Sequence, residues 1–235
     1  MQLFIGSELD SETLFLTEEE SWHCVKVLRK KTGDILSVID GNGNFYSGKI
    51  VGDNPKKIIL SIESKETKTP SRNYKLHLAI APTKNIDRIE WFIEKAVEIG
   101  VDEISFLLCK NSERKILKID RMQKIVESAV KQSVQFYIPK VNDLIAYTKF
   151  IEQQTTYHTK LIAHCQTPNL PFLSKVIEPK QDSLLLIGPE GDFTIDEVNL
   201  AKSIGFQEIS LGNTRLRTET AALYAVNVFS VLSNC

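Results

Sequence analysis

Apolar and polar positions alternate through DILSVIDGNGNFYSGKIV (34–51), and the alternation turns over at Asn42-Gly43, which predicts a β-hairpin. KKIILSIES (56–64) supplies a further strand, whereas TEEESWHCVKVLRK (17–30) has helical spacing. That helix is expected to open with Thr17 as N-cap and Glu20 three residues on, a capping box. Residues 1–69 therefore read as a small, mostly β domain. ESKETKTPSRN (63–73), polar and broken by Pro70, is expected to link it to a second domain over 74–235.

The period changes in the second domain. KLHLAIA (75–81), EISFLL (103–108), KLIAH (160–164), SLLLIG (183–188) and QEISLG (207–212) read as short apolar strands. Ile86, Ile89, Ile93, Ala96 and Val97 share one helical face that stops at Gly100, and further helices are expected near 120–134, 144–154 and 195–204. Strands alternating with helices predict an α/β fold whose mostly parallel sheet is covered on both faces. Ligands of such sheets sit outside the carboxyl ends of the strands. Three ends stand out: His164-Cys165, Gly188-Pro189-Glu190-Gly191 and Leu211-Gly212-Asn213. The second is a stiff, side-chain-poor bend where a ligand can approach the backbone. Thr194 and Glu197 just beyond it read as a capping box.

Composition narrows the field mainly by exclusion. A chain of 235 residues, 42% hydrophobic and 25% charged, can bury a proper core. Its 29 Lys and Arg against 30 Asp and Glu leave a net charge of -1, so an RNA partner would need a local basic patch. KNSERKILKIDRMQK (110–124) is one, with Arg114, Lys115 and Arg121 as candidate RNA contacts; Arg29, Lys30 and Lys31 form a smaller one. Cys24, Cys109, Cys165 and Cys235 lie far apart without a C-x-x-C pair, which argues against a zinc site or a disulfide framework. Reduced thiols, no metal, no export signal, no membrane span and a cytoplasmic location are expected. GNGNFYSG (41–48) lacks the G-x-G-x-x-G spacing, and no P-loop, G-x-S-x-G or H-E-x-x-H occurs.

Two blocks near the C-terminus are more specific. Ile187-Gly188-Pro189-Glu190-Gly191, and Leu211-Gly212 followed by Leu216-Arg217-Thr218-Glu219-Thr220-Ala221, resemble the SPOUT superfamily of S-adenosylmethionine-dependent RNA methyltransferases. The likeness is strongest to its small-subunit ribosomal RNA uracil-N3 methyltransferases. It extends to WHCVKVLRKKTGD (22–34), similar to the family's H-x-x-x-V-L-R segment in a PUA-like domain, to EKAVEIGV (94–101) and to ESAVKQS (127–133). Thr214 stands where many members have Arg, with Arg215 shifted by one, and Asp192 and Gln135 replace a common Gly and Arg.

The resemblance implies a PUA-like RNA-binding barrel followed by a SPOUT domain with a deep trefoil knot, in which the chain after SLGN threads an earlier loop. It implies a homodimer, S-adenosylmethionine as cofactor, and N3 of a decoding-region uridine in 16S ribosomal RNA, within the assembled small subunit, as target. Gly188 and Gly191 would leave room for the bent cofactor, Pro189 would stiffen the bend, and backbone groups there and at Leu211-Gly212 would bond adenine and ribose. His164, Ile187, Glu190, Asn213, Leu216, Thr218 and Ala221 complete the expected cofactor site. Uracil N3 attacks well only once deprotonated, so a cation near the carbonyl oxygens is useful. Arg217 is the candidate, with Glu190 or Glu219 to orient substrate or take the proton. Alternatives are a SPOUT enzyme acting on another base or a ribose, and a non-enzymatic RNA-binding assembly factor.

Overall fold

In the computed structural model, which describes residues 1–70, 72–153, 156–178 and 180–233, the period-2 stretches close on themselves. Cys235, Ser71 of the expected linker and Gln154 of the expected helix lie outside the described residues. β1 (Leu3–Glu8), β2 (Thr13–Leu16), β3 (Ile35–Ile39), β4 (Asn44–Asn54) and β5 (Lys57–Thr67) form a closed barrel in the order β1-β2-β5-β4-β3. β3 and β4 are the expected hairpin, and β3 closes the barrel by pairing in parallel with β1. Phe4, Leu14, Leu16, Val38, Tyr46, Ile50, Ile58 and Leu60 fill the interior, as alternation demands.

The helix of this unit departs from its expected form. α1 (Glu18–Trp22) is short and runs on into a π-helical turn, His23–Val27. Thr17 does cap it, accepting from Glu20 N at 3.3 Å. The reciprocal half of the capping box is missing, because the buried Glu20 carboxylate instead pairs with Lys131. A charged partner is a stronger claim on a carboxylate than one backbone N–H at a helix end.

Glu127–Ile138 clusters with the barrel rather than with the rest of the second domain. Phe136 O accepts from Gly43 N at 3.0 Å, Ile138 N donates to Gly41 O at 2.9 Å, and Tyr137 OH donates to Lys68 O at 2.9 Å. A Cβ on Gly41 would lie 2.5 Å from Ile138, and one on Gly43 would lie 2.3 Å from Tyr137. The two glycines thus serve the turn, with φ of +77° and +96°, and also the close docking of this segment.

The second unit holds six parallel strands in the order β11-β9-β10-β6-β7-β8. They are β6 (Leu76–Ile80), β7 (Glu103–Leu108), β8 (Lys140–Ala146), β9 (Thr159–Ala163), β10 (Ser183–Ile187) and β11 (Gln207–Ile209). Helices α2 (Ile86–Ile99), α3 (Ile119–Gln132), α4 (Tyr147–Glu152), α5 (Leu173–Val176), α6 (Ile195–Ser203) and α7 (Thr218–Ser233) alternate with them. α2 ends at Gly100, left-handed at φ 115°, as its apolar face predicts.

The helix expected over 144–154 starts only at Tyr147, because Lys140–Ala146 is strand β8. Val141, Leu144 and Ile145 have helix-like spacing, yet the edge of β7 offers a ladder to pair with, interrupted by one irregularity between Ile104 and Phe106, and that tertiary pairing decides the conformation.

Beneath the sheet, His77 is 3% exposed and its ring nitrogens meet Tyr157 OH at 2.7 Å and Ser105 Oγ at 2.8 Å. Glu103 lies 4.0 Å away, itself held by Lys140 and Asn142. Burial pushes His77 down from 6.5 to about 4, against the pull of Glu103. The unfolded chain takes up this proton near pH 6.5 and the folded chain only near 4, so stability is full above pH 6.5 and falls through that window as pH drops. The expected loss is about 3 kcal/mol between pH 7 and 4. Denaturant melts across this range check it: His77→Gln should flatten the slope, and an unchanged slope would contradict the assignment.

Candidate active site

Sheet register brings three strand ends together. Ala163 of β9 sits beside both Ile187 of β10 and Ile209 of β11, so the segments that follow leave the sheet at one end. Pro171–Leu173 then returns along Ser210: Ser210 N donates to Pro171 O at 2.9 Å, and Leu173 N to Ser210 O at 3.0 Å. The chain beyond Ser210 thereby starts beside the segment that follows β9, and it shares a pocket with the loop that follows β10.

These loops, the first turn of α7 and one residue of α2 enclose a pocket of about 390 Å³, within the usual size of a small-molecule site. Ala163, Ile187, Leu211, Leu216 and Ala221 give it apolar walls, while Arg88, Glu190, Asp192, Arg215 and Arg217 ring it with charge. Of the residues expected around the cofactor, His164, Ile187, Gly188, Pro189, Glu190, Leu211, Gly212, Leu216, Thr218 and Ala221 line it. Gly191 and Asn213 are not in the lining.

The glycines act differently from the expectation. A Cβ on Gly188 would lie 3.1 Å from the backbone N and ring of buried Phe193, and one on Gly191 would lie 3.1 Å from Asn111. Their small size serves the packing of the bend on its own protein. Gly212 is the one whose backbone demands glycine, at φ +136° with open space where a side chain would project.

Asp192, noted as a departure, sits at φ +64°. Its carboxylate accepts from Cys165 N and Phe193 N, both at 2.8 Å, and so ties the β9 loop to the β10 loop. Asp tolerates the left-handed region better than most residues, and here its side chain also adds two bonds to it.

His164 lines the pocket through its main chain, because its side chain is 0% exposed. Nδ1 accepts from Gln166 N at 3.1 Å, and Nε2 lies 3.2 Å from Glu208 Oε1. Burial holds the imidazole below its usual range, against the pull of Asp192 and Glu208, so it is a neutral strut between the β9 loop and β11.

The candidate catalytic groups separate. Arg217 is exposed in the pocket lining and has no acidic partner among the described residues. Glu190 also lines it, with Oε1 accepting from Lys84 N at 2.8 Å. Glu219 is buried outside the lining, with Arg88 Nε 3.8 Å from its Oε1. Arg88 and Ser210 were missed from the sequence because nothing in a helical face or a strand end marks which side chain will meet a distant loop.

The basic segment divides as well. Arg114 donates to Thr83 O at 3.0 Å and to Lys84 O, and Arg121 forms a two-pronged pair with Glu90, at 2.6 and 2.8 Å. Lys115 is exposed. In the barrel unit Arg29 is exposed at φ +57°, and Lys30 N donates to Cys24 O at 3.1 Å. Among the described residues no cluster of three or more His, Cys, Asp or Glu could hold a metal, and no helix is long and apolar enough to cross a membrane.

Residues 70–230 match an RNA methyltransferase domain family, and residues 16–63 match an RNA methyltransferase PUA domain. A ribosomal RNA small subunit methyltransferase E from Mesomycoplasma hyopneumoniae is 33% identical over 91% of this chain and 92% of its own. The crystal structure of a probable rRNA-methyltransferase from Porphyromonas gingivalis shares 36% identity at a TM-score of 0.90, covering 100% of this chain and 99% of that one. A ribosomal RNA small subunit methyltransferase E from Neisseria gonorrhoeae, bound to S-adenosyl methionine, shares 27% identity at a TM-score of 0.83, covering 99% and 98%. Likeness carried through both units and through the pocket loops makes this chain a member of the ribosomal RNA small subunit methyltransferase E family of RNA methyltransferases.

Proposed function

We propose that this chain methylates N3 of a uridine in 16S ribosomal RNA, using S-adenosylmethionine held in the pocket at the ends of β9, β10 and β11. The observation that carries the reading is Arg217, exposed and without an acidic partner among the described residues, on the rim of a pocket with apolar walls and backbone-rich loops. The donor set fits the cofactor. Leu211, Leu216 and Ala221 offer apolar surface to an adenine, and Gly212 leaves open space where another residue would project a side chain. When bound, the cofactor supplies an electrophilic methyl group.

The side chains have little covalent work to do. The pocket orients the base and excludes water, which supplies much of the acceleration in transfers of this kind. Arg217 stabilises negative charge on the uracil oxygens as N3 loses its proton. Glu190, which lines the pocket with one carboxylate oxygen held by Lys84 N, is the group placed to orient substrate and take the N3 proton. Mass mapping of modified nucleosides in small-subunit ribosomal RNA from cells lacking the protein tests the assignment: loss of one N3-methyluridine supports it, and an unchanged nucleoside profile overturns it.

RNA docking is assigned to Lys115, with Arg114 fixing the Thr83-Lys84 backbone, Lys84 paired with Glu113 at 2.9 Å and Arg121 occupied by Glu90. Lys115→Ala should weaken RNA binding severalfold at low salt and less at high salt, as expected for a phosphate contact. Arg121→Ala should leave RNA affinity nearly unchanged. Filter binding across a salt series distinguishes them, and the reverse ranking would discard this division.

The working unit is proposed to be a homodimer. Thr220, Tyr224, Asn227 and Val231 form an exposed stripe along α7, and Trp91 on the adjoining α2 is also exposed. A second copy covering Tyr224, Val231 and Trp91 accounts for the exposure of these three apolar groups. Sedimentation velocity should give a dimer, and a fully active monomer would rule it out.

A further inference from the structure

Three arginines line the pocket, and two of them, Arg88 and Arg217, differ in how their charge is met. Arg217 has no acidic partner among the described residues, whereas Arg88 Nε stands 3.8 Å from Glu219 Oε1. The Arg88 side chain is 39% exposed and that of Glu219 only 8%, so the carboxylate backs the guanidinium from behind the pocket wall. Glu219 Oε2 is buried with no hydrogen-bond partner. An acidic group in that state is costly, and the neighbouring guanidinium and the N-terminal turn of α7 offset the cost.

The base of Arg88 is rigid. Asn85 caps α2 by accepting from Asp87 N at 3.0 Å, and Thr83 Oγ1 donates to Asn85 O at 2.7 Å. Arg114 holds the Thr83 and Lys84 carbonyls, and Glu190 accepts from Lys84 N. The turn that presents Arg88 is therefore fixed on several sides.

We infer that Arg88 contacts the target uracil through a neutral carbonyl oxygen and orients the base, with Glu219 as the positioning residue that aims and charge-compensates it. This rests on the function proposed above. A guanidinium backed by a carboxylate presents directed N–H donors with little net field, which suits a neutral carbonyl. An uncompensated guanidinium favours an anion instead. The two arginines thus divide the labour: Arg88 sets the angle of the base, and Arg217 holds the negative charge that develops on it. Glu219, behind the wall, is not the group that takes the N3 proton.

Single-turnover methylation of small-subunit RNA at saturating RNA tests this, with cofactor calorimetry and thermal melts on the same variants. Arg88→Ala should lower the rate by about 10²-fold with cofactor affinity little changed, and Arg88→Lys should recover only part, having lost the planar fork. Glu219→Gln should lower the rate by about tenfold and move the rising limb of the pH–rate profile about one unit to lower pH, because the uncompensated Arg88 cation then favours the uracil anion. A merely structural Glu219 would lower the melting temperature without moving that limb. Wild-type rates in Arg88→Ala, or a Glu219→Gln variant that folds with its pH profile in place, overturn the inference. If Glu219→Gln does not fold, the Arg88 pair decides. Wild-type protein that binds cofactor yet makes no N3-methyluridine overturns the proposed function instead.

Discussion

Replacing Arg217 with alanine is expected to slow single-turnover methyl transfer by about 10²- to 10³-fold, the effect of removing one preorganised donor from a developing oxyanion. The residue lies on the pocket rim without an acidic partner among the described residues, so its full charge is available to the substrate. Removing it should leave cofactor affinity nearly unchanged, because its role begins only when N3 loses its proton. Lysine should restore part of the rate by restoring the charge, but not the planar fork that spans two acceptors. Working at saturating RNA separates this loss from weakened docking. A variant whose single-turnover rate matched wild type would reduce Arg217 to a docking or structural role.

The second large effect is expected at Ala221. It lies in the first turn of α7, where its methyl group forms part of the pocket wall. Phenylalanine is compatible with a helix at this half-buried position, so the ring should enter the pocket rather than disturb the core. A site of about 390 Å³ cannot admit both that ring and the cofactor without strain. Overpacking of this kind costs about 3 kcal/mol, so cofactor affinity should fall by about 10²-fold. Calorimetry measures the affinity, and an unchanged melting temperature without cofactor shows that the fold has survived. Undiminished binding by Ala221→Phe would move the cofactor to another part of the molecule.

Asp192 and Gly191 show how a motif can be sound while its stated reason changes. The glycines of Gly188-Pro189-Glu190-Gly191 mark the site from sequence, yet the space they leave is taken by Phe193 and Asn111. Asp192 stands where a glycine is common, and it answers the same left-handed demand by other means, bonding Cys165 N and Phe193 N with its own carboxylate.

The sequence by itself determined the alternation that closes the barrel, the strands and helices of the parallel sheet, and the strand ends where the pocket lies, because each depends on a local period or a turn residue. It also carried the family, through two blocks whose backbone-rich loops tolerate few alternatives. Only the tertiary structure decided what local spacing cannot encode. β8 is a strand because β7 leaves an edge to pair with, although Val141, Leu144 and Ile145 are spaced like a helix. Glu20 gives up its capping box because Lys131, 111 positions away, meets it in a buried place. Arg121 is neutralised by Glu90 and Arg114 is spent on two carbonyls, whereas Lys115 between them stays exposed, a difference that charge counting along the chain cannot see. Arg88 and Glu219 meet only when α7 packs on α2, since a contact between residues so far apart exists only once the sheet has set the helices side by side.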